Sequence, residues 1–255
     1  MDLNNVAVAI RPRNHWEAID LGFRLAREHW WPLFGVWVCV LMPFATLIHL
    51  LLREHLGWAL FAVWWFKPLA DRALLLVLSR AVFGAVPGVW ETLKLLPKAL
   101  GGGILHSLTL SRFDLARNFN LPVWQLEGLT GASRRQRIRI IERRTRRAAI
   151  WNSIACWHFE AAIFFGLCLL TLSMIPQQLG ETFSLWAWFE SMPAWLELTR
   201  NGFYVLAVLV VEPFFVAAGF SLYLNRRTVL EGWDIEIAFR RMSARLAIET
   251  GNESP

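Results

Sequence analysis

The sequence predicts an all-α fold, an integral membrane helical bundle of four transmembrane helices plus interfacial amphipathic helices. Three observations lead there. The 255 residues are 56% hydrophobic and include 15 Trp, more apolar than a soluble domain of this length. Several apolar runs reach the roughly 20 residues that a helix needs to cross a bilayer. The basic residues behind the net charge of +6 crowd beside those runs, as they do in the cytoplasmic loops of membrane proteins.

The elements follow in order. Residues 1–13 are polar. Asn14 caps a helix, with Glu17 as the return half of a capping box. Trp16, Ile19, Phe23, Ala26 and Trp30 recur at helical spacing, so this helix either lies in the membrane interface or packs on a cytoplasmic loop. No signal-peptide pattern precedes it, and the N-terminus is expected to be retained. The first span is 31–52, and Arg53, Glu54 and His55 make a short turn. The second, 57–83, is interrupted by Lys67, Pro68, Asp71 and Arg72. Such residues are costly inside a bilayer and face a protein interior or a polar cavity.

Residues 84–147 form a basic cytoplasmic region. Its first part, 87–99, reads as a second amphipathic helix with Trp90, Leu93, Leu96 and Leu100 on one face. Gly101-Gly102-Gly103 breaks it. The short apolar run 104–110 either dips into the interface or re-enters the membrane. Residues 111–131 read as an ordered loop anchored by Phe113, Leu121, Val123, Trp124 and Leu126. A basic block follows: Arg134, Arg135, Arg137, Arg139, Arg143, Arg144, Arg146 and Arg147 against one acid, Glu142. Beside a span this is a topology signal and an anionic-lipid contact. The block lacks interleaved stacking aromatics, which argues against nucleic acid. It continues as one helix into the third span, 148–175.

Residues 176–200 are an aromatic interfacial segment, and 201–224 is the fourth span. Arg226 and Arg227 close that span. Thr228 and Glu231 read as a second capping box opening a last amphipathic helix with Ile235, Phe239, Met242 and Leu246 on its face. Lys and Arg concentrate in 1–30, 84–147 and 225–255, whereas 53–56 and 176–200 hold only Arg53 and Arg200. Both termini are therefore expected on the cytoplasmic side. A faint internal repeat relates Lys67-Pro68 to Glu212-Pro213.

Counting about 1.5 Å of rise per residue, Lys67, Glu160 and Glu212 reach one depth near the bilayer centre, with Asp71, Arg72 and His158 slightly further in. These six residues are expected to form one intramembrane polar cluster, with Lys67 or Arg72 bridging to Glu212. It serves either as a bundle-locking salt bridge or as a site for a proton, an ion or a lipid headgroup.

Enzymatic motifs are missing. Trp157-His158-Phe159-Glu160 holds an HxE without the CxxC of zinc deaminases, and HExxH, GxSxG and GxxxxGK[ST] do not occur. Cys39, Cys156 and Cys168 form no CxxC and predict neither a zinc site nor a disulfide framework. No catalytic residue, metal or cofactor is assigned.

The run from Glu212-Pro213 through Tyr223, Arg226-Arg227 and Glu231-Gly232-Trp233-Asp234-Ile235-Glu236 resembles the end of the membrane domain attached to some glycerophosphodiester phosphodiesterases. The whole chain, with Arg11-Pro12-Arg13 and Trp16-Glu17-Ala18-Ile19-Asp20, resembles multi-span proteobacterial inner-membrane proteins. The likeness implies a bacterial inner-membrane location. It implies no activity, because the enzymes' catalytic domain has no counterpart in these residues. The function expected is a non-catalytic subunit or scaffold of a membrane complex, or alternatively a small transporter or lipid-handling protein.

Overall fold

The computed structural model describes residues 11–100, 108–174 and 193–232. They form α1 (His15–Glu28), α2 (Trp30–Leu51), α3 (Leu56–Ala81), α4 (Val89–Leu100), a 3-10 turn (Leu110–Phe113), α5 (Arg117–Gln125), α6 (Gly131–Met174) and α7 (Ala194–Glu231). No strand occurs among the described residues. The run 104–110, the segment 176–192 and the last amphipathic helix fall wholly or mostly outside them.

Among the described residues, three helices are long and apolar enough to cross a membrane: α2, α6 and α7. In α7, 83% of the apolar window is buried, against 28% in α2 and 17% in α6. This contrast makes α7 the central post. It touches α1, α2, α3, α5 and α6. The other two turn large side chains outward, among them Leu47, Leu50, Trp157, Phe159, Phe165 and Leu169. An apolar exterior of that extent is the surface of a protein solvated by lipid.

The expected second span, 57–83, forms one helix, α3, of 26 residues that ends at Ala81, with Val82 and Phe83 in the turn beyond it. It is long enough to span, but its charges keep it outside the apolar set. Pro68 sits inside it, and Lys67, Asp71 and Arg72 are buried. The loss of one backbone donor at Pro68 does not end the helix, because neighbouring helices hold it on both sides of the proline.

α1 begins where Asn14 accepts a hydrogen bond from the Glu17 N–H at 2.8 Å. The Glu17 carboxylate pairs with Arg11 and Arg13. The buried face is Ala18, Ile19, Gly22, Leu25 and Ala26, and Trp16 is 62% exposed. Of the expected stripe, Ile19 and Ala26 are buried and Phe23 and Trp30 pack their rings against Phe214 of α7, whereas Trp16 turns outward. Where α1 comes closest to α7 the residues are small, and a Cβ on Gly22 would stand 2.5 Å from the Ala218 Cα. Such close backbone approach is the membrane-helix way of gaining dispersion contacts. Asn225 fixes the entry to α1. It accepts from the Arg13 N–H at 2.8 Å and donates to the Arg13 carbonyl at 2.9 Å.

Three further corrections concern the ends of helices. Residues 111–131 are not a plain loop but contain the 3-10 turn and α5, and Phe113 is exposed rather than an anchor. Trp90 of α4 is exposed, and Thr92 is the buried residue. The helix that carries the fourth span continues past Arg226 and Arg227. α7 runs on to Glu231 and stops at Gly232, whose φ of 64° supplies the left-handed cap that glycine adopts without strain. Thr228 is therefore no N-cap, and its hydroxyl donates to the Leu224 carbonyl within the helix.

Candidate functional site

α3, α6 and α7 bring Lys67, Glu160 and Glu212 together. The Lys67 Nζ stands 2.5 Å from Glu160 Oε1 and 2.7 Å from Glu212 Oε2. All three side chains are buried. A buried ammonium needs an anionic partner and hydrogen-bond acceptors to offset its lost hydration, and here two carboxylates share that role.

The sequence did not point to Arg117. Its Nη2 lies 3.2 Å from Glu212 Oε1 and 3.5 Å from Asp71 Oδ2. Glu212 is thus clamped between Lys67 on one oxygen and Arg117 on the other. Arg117 is the first residue of α5, inside the segment expected to be a loop. The helix is held by α7: the Asn118 side chain donates to the Phe215 carbonyl at 3.0 Å, and Gly219 admits the Asn118 backbone so closely that a Cβ there would stand 2.7 Å away.

Two of the expected members lie elsewhere. The Arg72 Nη1 donates to the carbonyls of Ala99 and Leu100, each at 3.3 Å, so it serves the end of α4 rather than Glu212. One residue along a helix turns the side chain by about 100°, enough to separate Arg72 from Asp71. His158 is exposed, and its Nδ1 lies 2.7 Å from the Ile154 carbonyl. It is two residues from Glu160 and so faces the opposite side of α6.

Beside the ion pairs opens a cavity of about 560 Å³. Lys67, Glu160, Glu212 and Arg117 line its floor, and Trp64, Ile154, Trp157 and Phe215 are among its apolar walls. Arg112, also part of the lining, stacks its guanidinium 3.6 Å above the Trp64 ring. The Asp114 carboxylate at the rim is engaged by Asn120, by the Ala116 N–H and by Arg146.

The basic block divides. Arg137 makes a two-nitrogen contact with Glu127, at 2.8 and 3.0 Å, and reaches Glu231 at 2.5 Å. Glu231 also takes two bonds from Arg227, and Tyr223 donates to Glu127 at 2.6 Å. These contacts lash the start of α6 to the end of α7. Hydrogen bonds to Glu127 raise Arg137 above its ordinary value against the burial that lowers it. Arg146 pairs with Glu142 and Asp114, and Arg134 lies 3.9 Å over the Trp124 ring. Arg135, Arg139, Arg143, Arg144 and Arg147 stay exposed. Among the described residues, no group of three or more His, Cys, Asp or Glu is arranged to hold a metal ion.

Comparison with known proteins leaves the chain on its own. No family model, no curated protein and no solved structure matches it.

Proposed function

We propose that this chain is a non-catalytic, four-span protein of a bacterial inner membrane that handles a charged or amphiphilic ligand at its midplane polar cluster. The observation that carries the reading is the cavity of about 560 Å³ that reaches Lys67, Glu160, Glu212 and Arg117. A salt bridge whose only task is to lock a bundle does not need to border open space. Pocket volumes of roughly 300–1,000 Å³ are those of small-molecule sites. In this reading α3 crosses the membrane as the second span, with Lys67 and Asp71 turned toward α5, α6 and α7. Both termini lie on the cytoplasmic side with most of the basic region 84–147, from which the 3-10 turn and the start of α5 reach in to carry Arg112 and Arg117 to the cluster. There the exposed arginines of α6 contact anionic headgroups, at about 1 kcal/mol each near a charged surface.

A second reading is a scaffold that presents 84–147 and the C-terminal segment to protein partners. The lashing of α6 to α7 through Arg137, Glu127, Glu231 and Arg227 favours it, because it fixes the cytoplasmic ends of two spans relative to each other.

Labelling separates the two. Ser153 lines the cavity. In a background without Cys39, Cys156 and Cys168, Ser153→Cys is expected to react with a small water-soluble maleimide in intact membranes. A dry, closed cluster would leave it unmodified and return the protein to the scaffold reading.

A further inference from the structure

The charged groups around the cavity are not equally satisfied. Lys67 holds Glu160 and Glu212, and Arg117 Nη2 holds Glu212 and Asp71. Arg112 is 8% exposed, yet no carboxylate lies within ion-pair distance of it among the described residues, and its Nε has no acceptor. Among the described residues, its guanidinium lies against the face of Trp64 at 3.6 Å. The Arg117 Nη1 is likewise buried without an acceptor. Two guanidinium groups thus border one cavity with donors that the protein leaves unfilled.

That is a costly state. A guanidinium carries five N–H donors and cannot shed its charge in the ordinary range, and buried donors without acceptors lose their hydration with nothing in return. Burial, and then the neighbouring Arg117 charge, push Arg112 down to about 10, which still leaves it cationic at neutral pH. The planar fork of arginine matches carboxylate and phosphate through paired hydrogen bonds. The acids nearby do not supply this match: Glu160 and Glu212 are taken by Lys67 and Arg117, and Asp114 by Asn120 and Arg146. Asp71, whose Oδ1 has no hydrogen-bond partner among the described residues, turns its Oδ2 to Arg117 and comes within ion-pair distance of Arg117 but not of Arg112.

The walls limit the ligand further. Apart from Asp114 and Ser153, the lining beyond the charged groups is aromatic and aliphatic, with Trp157 and Phe113 both well exposed at the edge. A hydrated inorganic ion gains little from such walls, whereas a molecule with an acyl chain buries that chain against them at roughly 25 cal/mol per Å².

We propose that the cavity binds an amphiphile through its anionic head, with Arg112 as the main counter-cation, the free Arg117 nitrogen as its second donor, and the Trp64–Trp157 side as the acyl-chain wall. This assignment rests on the ligand-handling reading above. The shared chemistry is a phosphate or carboxylate on a hydrocarbon tail.

The test uses the full chain in dodecyl maltoside, with native mass spectrometry to count bound molecules. The probes are dioctanoyl phosphatidylglycerol, octanoic acid, dioctanoyl phosphatidylcholine and inorganic phosphate. One phosphatidylglycerol or octanoate per chain is expected, with phosphatidylcholine weaker by about tenfold, since its phosphate carries a choline cation that would be brought against Lys67, Arg112 and Arg117. Arg112→Gln is expected to remove the preference, and Arg112→Lys to restore part of it. An unchanged elution profile and helical spectrum check that both variants fold. Phosphatidylcholine bound as well as phosphatidylglycerol, or an undiminished preference in Arg112→Gln, overturns the assignment. Phosphate bound in place of either amphiphile overturns the acyl-chain wall. If Ser153→Cys labels while Arg112→Gln changes nothing, the ligand-handling reading survives and this assignment fails. If Ser153→Cys stays unlabelled, both fail.

Discussion

The Lys67 ammonium meets the Glu212 carboxylate at 2.7 Å across the α3–α7 contact, and Glu160 meets the same nitrogen from α6 at 2.5 Å. Three helices are joined at one atom. Breaking a buried pair by removing one partner costs about 3–5 kcal/mol, so Lys67→Met is expected to lower the thermal midpoint in detergent sharply. A two-way charge exchange does not repair it fully. In Lys67→Glu with Glu212→Lys, the new glutamate still faces Glu160. Adding Glu160→Gln is expected to recover most of the loss, as thermal unfolding of the single, double and triple variants will show.

Small residues set how closely α1 lies on α7. Gly22→Ala places a Cβ 2.5 Å from the Ala218 Cα and 2.6 Å from the Ala217 oxygen, both backbone atoms. The helices must separate, at a cost of about 1–3 kcal/mol typical of overpacking. At Gly35 the nearest atom is the Val89 Cγ2 at 3.0 Å, a side chain that can turn away, so Gly35→Ala costs less. Gly202 has nothing within 4 Å, and Gly202→Ala is expected to be neutral or stabilising by up to about 1 kcal/mol through helix propensity. The rank order of thermal midpoints tests all three.

Beyond the apolar part of α7, Glu231 titrates below its ordinary value. Burial alone would raise it, but hydrogen bonds from Arg227 and Arg137 outweigh that effect. A carboxylate depressed in the folded state contributes stability above its unfolded value, near 4.5 here, and loses it as pH falls through the lower folded value. Glu231→Gln is therefore expected to lower the thermal midpoint at pH 7 and to flatten its decline below pH about 4.5. The group is partly exposed, so the effect is small.

The membrane arrangement has its own test. If α3 crosses, the α2–α3 turn and α4 lie on opposite sides. Glu54→Cys and Lys98→Cys, each in the background without native cysteines, are expected to react with an impermeant maleimide from opposite faces of sealed vesicles. Reaction from the same face would leave α3 as a helix buried in the bundle without crossing.

Residue pattern alone reached much of this. Depth along each helix placed Lys67, Glu160 and Glu212 at one level, because helical rise is regular whatever the neighbours are. Facing is harder. Arg72 and His158 share the depth but sit on other sides of their helices, and rotation depends on which neighbours pack where. Arg117 escaped notice because Asn118, Asn120 and Pro122 are poor helix formers, and only contacts such as Asn118 with the Phe215 carbonyl stabilise α5. The α1 face follows its spacing for Ile19, Phe23, Ala26 and Trp30, but Trp16 turns outward and Gly22, which sets the close approach to α7, carries no hydrophobic signal. Thr228 and Glu231 matched a capping box by spacing, but α7 continues through them and their side chains bond elsewhere.

The 44 residues of α6 make a rod about 66 Å long at 1.5 Å per residue, about twice the thickness of a hydrocarbon core. Its outer half carries the exposed arginines, and its inner half carries Ser153, Trp157 and Glu160 along the cavity. No proline interrupts it. A force applied at the arginines is thus delivered, without a joint to absorb it, to the wall of the cavity and to one of the two acids holding Lys67. The helix joins the basic surface and the polar cluster in one unbroken rod.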